Sequence, residues 1–126
     1  MEAPENRTAT ESAIAEWTTI LGEPGVLAAS EVDFGASTIG AKRYIPAVLR
    51  PETQEQISEV LQVAQRWRVA VYPVSTGNNW GYGSANPVED GSVILDLSQL
   101  DRISGFDPDM GVVTVQPGVT QGALRE

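Results

Sequence analysis

The chain has 126 residues, of which 41% are apolar and 20% are charged, a composition typical of one soluble domain with a buried core. Seventeen acidic residues against eight basic ones give a net charge of −9, which disfavours binding to nucleic-acid phosphates or anionic membranes. Because the sequence has no cysteine and no histidine, disulfides, thiolate nucleophiles and histidine-ligated metal sites are excluded.

The first predicted element is an amphipathic helix over residues 9–21. Thr8 and Glu11 have the spacing of a capping box at its start. One helical face then carries the apolar residues Ile14, Trp17 and Leu21, and the two tryptophans of the predicted helices, Trp17 and Trp67, are interpreted as core residues. Over residues 23–43 glycines interrupt any regular period, which predicts an ordered but irregular connection.

A β-α-β unit is predicted next. Residues 47–49 form a short apolar run bounded by prolines, as expected of a brief strand. Thr53 and Gln56 form a second capping box, and the helix that follows has an apolar stripe made of Ile57, Val60, Leu61, Ala64 and Trp67. Residues 69–74 form a β-rich run, so the two strands are expected to be parallel and joined by a right-handed crossover.

The last third of the chain predicts an antiparallel hairpin instead of another crossover. Residues 93–97 form one strand, and residues 103–106 and 112–115 form two more, joined by the turn sequence Asp107-Pro108-Asp109-Met110-Gly111. Thr120 begins a helical pattern, which indicates that the domain continues beyond residue 126. The predicted fold class is α+β: a small parallel β-α-β subdomain followed by the start of an antiparallel sheet subdomain.

The segment that says most about function is the loop after the strand at residues 69–74. It reads Ser75-Thr76-Gly77-Asn78-Asn79-Trp80-Gly81-Tyr82-Gly83-Ser84-Ala85-Asn86-Pro87. Exposed N–H groups of such a loop form a cradle for anions, hydroxyl and amide side chains add donors, and the two aromatic rings offer a flat apolar surface. A phosphate joined to an aromatic group suits this mixture, and an ordinary glycine-rich surface loop is the alternative.

Two common phosphate-binding motifs do not match this loop. No lysine or arginine occurs between Arg68 and Arg102, so a P-loop is excluded, and a phosphate would be bound by main-chain and neutral side-chain donors. Gly81 and Gly83 begin a dinucleotide fingerprint, but Asn86 stands where its third glycine is required.

A series of sequence blocks resembles the vanillyl-alcohol oxidase and p-cresol methylhydroxylase family. The blocks are Pro51-Glu52-Thr53 with the helix after it, Tyr72-Pro73-Val74-Ser75-Thr76-Gly77-Asn78-Asn79, Gly81-Tyr82-Gly83-Ser84-Ala85, Val93-Ile94-Leu95-Asp96-Leu97 and Val115-Gln116-Pro117-Gly118-Val119-Thr120. The resemblance implies that residues 45–126 are the N-terminal part of an FAD-binding PCMH-type domain, preceded over residues 1–44 by a helix and an irregular connection. It also implies a flavin-dependent oxidoreductase acting on an alcohol, phenol or hydroxy acid.

The same resemblance implies a set of cofactor-binding residues. In the family the loop after the second strand wraps the FAD pyrophosphate, so Ser75–Gly81 is expected to be the main contact segment. The full set is Val74, Ser75, Thr76, Gly77, Asn78, Asn79, Trp80, Gly81, Tyr82, Ser84, Pro117 and Gly118. Pro117 and Gly118 belong to the corner where the family's second sheet meets the flavin, and a simple strand-ending turn is the alternative there.

The resemblance further implies non-covalent FAD and no catalytic residue in this chain, and no metal site is expected because cysteine and histidine are absent. Some members of the family attach the flavin to a histidine after the loop glycine, and Asn78 stands at that position. Tyr82 is interpreted as a packing residue, and the substrate pocket and catalytic base are expected beyond residue 126, so this chain alone is expected to be inactive.

Two other hypotheses about function remain. The chain is a non-catalytic fragment or module without flavin, or it is a binding module for another phosphorylated metabolite. The expected partners are FAD and, in a full-length protein, a small-molecule substrate, with no nucleic acid and no membrane. The polar N-terminus lacks the features of a secretory signal, and no apolar stretch approaches the roughly 20 residues that span a bilayer. A cytoplasmic location is therefore expected.

Overall fold

The structure, a computed structural model, describes residues 4–28, 43–77 and 87–125. Three helices, one 3-10 turn and six strands occur there, and their bounds in chain order are α1 Pro4–Leu21, the 3-10 turn Glu23–Gly25, β1 Val26–Leu27, β2 Val48–Leu49, α2 Gln54–Trp67, β3 Val71–Val74, β4 Val93–Asp96, β5 Ile103–Asp107, β6 Val112–Val115 and α3 Gln121–Arg125. The strands form a four-stranded sheet and a separate two-stranded sheet. The predicted α+β class with one parallel and one antiparallel sheet is confirmed.

The larger sheet has the strand order β1-β2-β4-β3. Strands β2 and β3 both run parallel to β4, and β1 is antiparallel to β2. The predicted parallel relation of the two strands around α2 is therefore confirmed, but they are not neighbours, because β4 lies between them. The register pairs Leu49 with Leu95 and Val74 with Asp96.

The main core lies between this sheet and the helices α1 and α2. Its buried residues are Ala13, Trp17, Ala47, Leu49, Val60, Val63, Ala64, Val69, Val93 and Leu95. Trp17 is fully buried, and its Nε1 donates to the carbonyl of Val60 at 3.0 Å, which joins the two helices. The core assignment of Trp17 is confirmed, and Trp67 is half-buried and packs against this cluster.

A second apolar cluster covers the opposite face of the sheet. It consists of Val48, Val74 and Ile94, with Leu27, Ile45 and Tyr72 packed against it. Because β4 is buried on both faces, its sequence is a continuous apolar run without polar alternation, as expected of a central parallel strand.

Two details of the predicted helices are wrong. Helix α1 begins at Pro4, a favourable first helical residue, so Thr8 lies inside the helix and does not cap it. In α2 the capping box of Thr53 and Gln56 is confirmed, but Leu61 is 46% exposed and Val63 is buried instead. The centre of the covered face is the mean direction of the buried residues Val60, Val63 and Ala64. At about 100° per residue, Leu61 lies about 110° from this direction around the helix axis and Val63 about 50° from it.

Strand β1 occurs where only an irregular connection is predicted. It has two residues, too few for a periodic signal, and it pairs Val26 with Leu49 at the sheet edge. The carbonyl of Gly25 accepts the main-chain N–H of Arg50 at 2.8 Å. The division of the chain after residue 44 stays a prediction, and α1 and β1 share the core and the sheet of the residues after it.

The predicted hairpin is confirmed as β5–β6. It pairs Ile103 with Val115 and Phe106 with Val113, with a bulge near Gly105, whose φ is +65°. The carboxylate of Asp107 accepts the main-chain N–H groups of residues 109 and 110 in the turn. The predicted helix start at Thr120 is also confirmed, because its Oγ1 accepts the N–H of Ala123 at 3.1 Å.

Among the described helices, none combines the length and the apolar character needed to cross a bilayer.

Candidate functional site

The carboxyl ends of the three parallel strands lie at one edge of the larger sheet, here called the carboxyl edge. Strand β2 leads there into Arg50, β3 into Ser75–Gly77, and β4 ends with Asp96. Open sheets with parallel strands bind their ligands outside this edge, where strand connections diverge. The central strand β4 separates β2 from β3, so this edge brings together segments that are distant in sequence.

The start of the predicted contact loop is anchored in the sheet. Val74 is 4% exposed and packs in the second apolar cluster, and its carbonyl accepts the N–H of Leu97 at 2.8 Å. Val74 therefore anchors the start of the loop in the sheet. Ser75 is half-buried and Thr76 is exposed, so the chain reaches the surface within two residues of the strand.

Gly77 has a backbone conformation that other residues rarely adopt. Its φ is +83°, and no heavy atom lies within 4 Å of the position that a Cβ would take. The glycine is needed for the left-handed conformation and not to relieve crowding, and open space lies beside its main chain.

Two main-chain donors are available at this point. Across residues 4–28, 43–77 and 87–125 the structure records no hydrogen bond from the N–H of Ser75 or of Gly77. Main-chain N–H groups that are not already engaged are the donors that a phosphate oxygen requires. The described part of the loop thus fits an anionic group.

The structure adds a cation that the sequence analysis did not assign to this edge. The Nε of Arg50 donates to Oδ2 of Asp96 at 2.9 Å, across 46 residues of sequence. The Asp96 side chain is 4% exposed and that of Arg50 is 31% exposed. The carboxylate at the end of the apolar β4 run is the signal that could have been used, because a buried carboxylate needs a partner.

The second predicted contact region lies against the segment that leaves β4. The N–H of Gly118 donates to the carbonyl of Leu100 at 2.8 Å, and a Cβ on Gly118 would lie 2.7 to 2.8 Å from three carbonyl oxygens. Gly118 is buried and Pro117 is exposed. Close packing is thus a sufficient reason for the glycine, and contact of this corner with a flavin stays a prediction.

The remaining predicted cofactor contacts, Asn78, Asn79, Trp80, Gly81, Tyr82 and Ser84, lie outside the described residues. In the part of the chain that is described, no group of acidic residues is arranged to hold a metal ion.

A cavity of about 320 Å³ lies at the opposite edge of the sheet. It is lined by the end of α2, including Trp67 and Arg68, and by the residues before β4, including Glu89 and Asp90. This edge carries the amino ends of β3 and β4, away from the unpaired amides of the loop, so the carboxyl edge is the better candidate site.

The model of the FAD binding domain family matches residues 45–126. Two curated proteins are 34% identical to this chain: 1'-carboxy-chondrochloren decarboxylase of Chondromyces crocatus over 116 residues, and the flavoprotein subunit of 4-cresol dehydrogenase [hydroxylating] of Pseudomonas putida over 119 residues. Each match covers 90% of this chain but only 21% and 23% of those proteins. The chain thus spans less than a quarter of their length.

Solved structures agree in fold. p-Cresol methylhydroxylase with substrate bound has a TM-score of 0.86 and 32% identity, over 94% of this chain and 24% of that one. The 4-ethylphenol oxidase from Gulosibacter chungangensis, in complex with isoeugenol, has a TM-score of 0.81 and 26% identity, over 93% of this chain and 24% of that one.

Proposed function

The chain belongs to the FAD binding domain family, and from this we propose that it forms the cofactor-binding portion of a flavin-dependent oxidoreductase that acts on an alcohol, phenol or hydroxy acid. The diphosphate of FAD is held by main-chain amides of Ser75–Gly81, without a covalent bond from this loop. The observation that carries the proposal lies at the carboxyl edge: within the described ranges no hydrogen bond is recorded from the N–H of Ser75 or Gly77, and open space lies beside the Cβ position of Gly77.

The described residues support binding and orientation more than chemistry. Val74 anchors the loop in the sheet, and Gly77 adopts the positive φ of +83° that turns the chain, with open space beside its Cβ position. When bound, FAD supplies the redox chemistry by accepting a hydride or its equivalent, and the protein supplies position and electrostatics. None of the residues at this edge is assigned a catalytic role.

The substrate class rests on the names of the relatives. The matched curated proteins include a 4-cresol dehydrogenase and a D-2-hydroxyglutarate dehydrogenase of Danio rerio, the latter 32% identical over 96 residues. Phenols and hydroxy acids are therefore both candidate substrate classes. The substrate-facing part of the protein, and with it the choice between them, is proposed to lie outside these 126 residues.

Titration of FAD with the 126-residue chain, followed by flavin fluorescence, tests the binding role. We expect saturable quenching by the unaltered chain and weaker binding after Gly77→Val, because a β-branched residue is strained at φ +83°. Gly111→Val is the matched control, since Gly111 also has positive φ, +66°, with nothing within 4 Å of its Cβ position.

Equal FAD affinity in both valine variants would contradict the role of the loop. No saturable binding by the unaltered chain would remove the cofactor role from this segment and leave a module without flavin. Binding of ADP in preference to FAD would instead identify a site for another phosphorylated metabolite.

A further inference from the structure

Arg50 presents unused hydrogen-bond donors at the carboxyl edge. A guanidinium carries five N–H donors, and the bond recorded for Arg50 among the described residues runs from its Nε to Asp96 at 2.9 Å. Within the described ranges of the chain, no partner is recorded for the two terminal nitrogens. The Arg50 side chain is 31% exposed, so part of it is accessible to a ligand at this edge.

Asp96 fixes the direction of this arginine. Its carboxylate is buried, and its other oxygen, Oδ1, accepts the main-chain N–H of Ser98 at 3.0 Å. Both oxygens are thus engaged, one by the strand neighbour and one by the chain leaving β4. Because a fork-like bidentate pair is not formed, the terminal nitrogens stay available while Nε holds the side chain in place.

The strand register places the guanidinium beside the predicted diphosphate loop. Leu49 pairs with Leu95, so Arg50 is level with Asp96, and Asp96 pairs with Val74 on its other side. Arg50, Asp96 and Val74 therefore form one row across three strands, about 10 Å wide at the usual strand spacing. Ser75, for whose N–H no hydrogen bond is recorded within the described residues, is the next residue after this row.

We propose that Arg50, positioned by Asp96, contacts the diphosphate of the flavin dinucleotide from the side opposite the Ser75–Gly77 amides. This inference rests on the proposed FAD-binding function and adds a cationic residue to it. The net charge of −9 repels a dianionic diphosphate, and the positive charge of Arg50 reduces this repulsion locally.

The main test compares FAD with riboflavin, which has the same ring but no phosphate. The double variant Arg50→Gln with Asp96→Asn removes both charges together and so avoids a buried unpaired carboxylate. We expect its dissociation constant for FAD to rise about 10- to 100-fold, as for loss of a charge-assisted hydrogen bond, and that for riboflavin to change less than about twofold. Thermal unfolding of each variant checks that it is folded.

Arg68→Gln is the matched control, because it removes the same charge from an exposed arginine at the end of α2. A folded double variant with the affinity of the unaltered chain for FAD overturns the role of Arg50 but leaves the proposed function standing. No FAD binding by the unaltered chain overturns both.

A second measurement uses the unaltered chain and so does not depend on the stability of a variant. In the ¹⁵N spectrum of arginine side chains, FAD should shift the signals of Arg50, assigned with Arg50→Lys, and leave those of Arg68 in place. Unshifted Arg50 signals at saturating FAD would also overturn the inference, even if the double variant fails to fold.

Discussion

Leu61 and Val63 of α2 show that apolar character alone does not decide which residue is buried. Both are apolar and two positions apart, yet Leu61 is 46% exposed and Val63 is 4% exposed. The covered face is set by α1 and the sheet, which contact Val60, Val63 and Ala64. The spacing i, i+3, i+4 therefore identified the helix correctly but placed one edge of its buried face wrongly.

Replacing each of these residues by alanine gives a direct check. We expect Val63→Ala to lower the free energy of unfolding by about 2 kcal/mol, from lost burial and a residual cavity. Leu61→Ala removes more carbon atoms but should change it by less than about 0.5 kcal/mol, because the side chain is largely in water. Urea unfolding measures both, and equal losses would contradict the burial described here.

Gly118 is required by its surroundings, whereas Gly122, four residues later, is not. A Cβ on Gly118 would lie within 2.8 Å of the carbonyl oxygens of Leu97, Ser98 and Leu100, but one on Gly122 would meet nothing closer than 3.7 Å. Gly118→Ala should therefore destabilise the protein by about 1–3 kcal/mol, as overpacking does.

Gly122→Ala is the control for that change and should leave the melting temperature unchanged or slightly higher, since alanine favours helix. Thermal unfolding compares the two. If Gly118→Ala is as stable as the unaltered chain, close packing does not explain this glycine, and the case for a role in cofactor contact becomes stronger.

The register of the β5–β6 hairpin is set by its own turn and bulge, but its side chains are little buried by the rest of the described chain. Ile103, Phe106 and Val115 are 48%, 70% and 42% exposed, and every residue of β5 is exposed. A two-stranded ribbon on its own is marginally stable in water. The turn at Asp107 and the bulge at Gly105 are the local features that set its register.

Hydrogen exchange should reveal this difference between the two sheets. In the 126-residue chain we expect amides of β5 and β6 to exchange at least about tenfold faster than those of β4, whose four residues are all buried. Two-dimensional NMR after transfer to D₂O makes the measurement, with β3 as an internal reference at the edge of the larger sheet. Equal protection in β4 and β5 would show that the hairpin is covered.

Over the whole molecule, the core joins segments that are far apart in sequence. Trp17 of α1 donates to the carbonyl of Val60, 43 residues later, and β1 pairs with β2. The matched family model begins at residue 45, after both α1 and β1. The part of this chain that the family model matches is thus smaller than the part that shares its core.

A chain restricted to residues 45–126 should consequently lack a cooperative unfolding transition, because it loses Ala13 and Trp17 from the core and β1 from the sheet edge. A chain that begins at Arg7 keeps these residues and should unfold cooperatively. Circular dichroism during urea titration distinguishes them. A cooperative transition for residues 45–126 would support the predicted domain boundary after residue 44.

Part of the candidate site follows from the sequence. The loop after β3 and its amide donors follow from the residues Ser75-Thr76-Gly77, since glycine and hydroxyl residues after a strand have short-range conformational preferences. Arg50, which the further inference adds to this edge, was not singled out, because it lies 25 residues before Ser75 in the chain. Its place beside the loop depends on β4 pairing with both β2 and β3.

The amino-acid sequence alone specifies the local elements and the family. The caps at Thr53 and Thr120 and the turn at Asp107 depend on hydrogen bonds within a few residues, so their patterns can be recognised without knowledge of distant segments. Strand order, the buried face of α2 and the pairing of Arg50 with Asp96 across 46 residues were established only by the folded chain. These features arise from packing between remote segments, and no short window of sequence contains both partners.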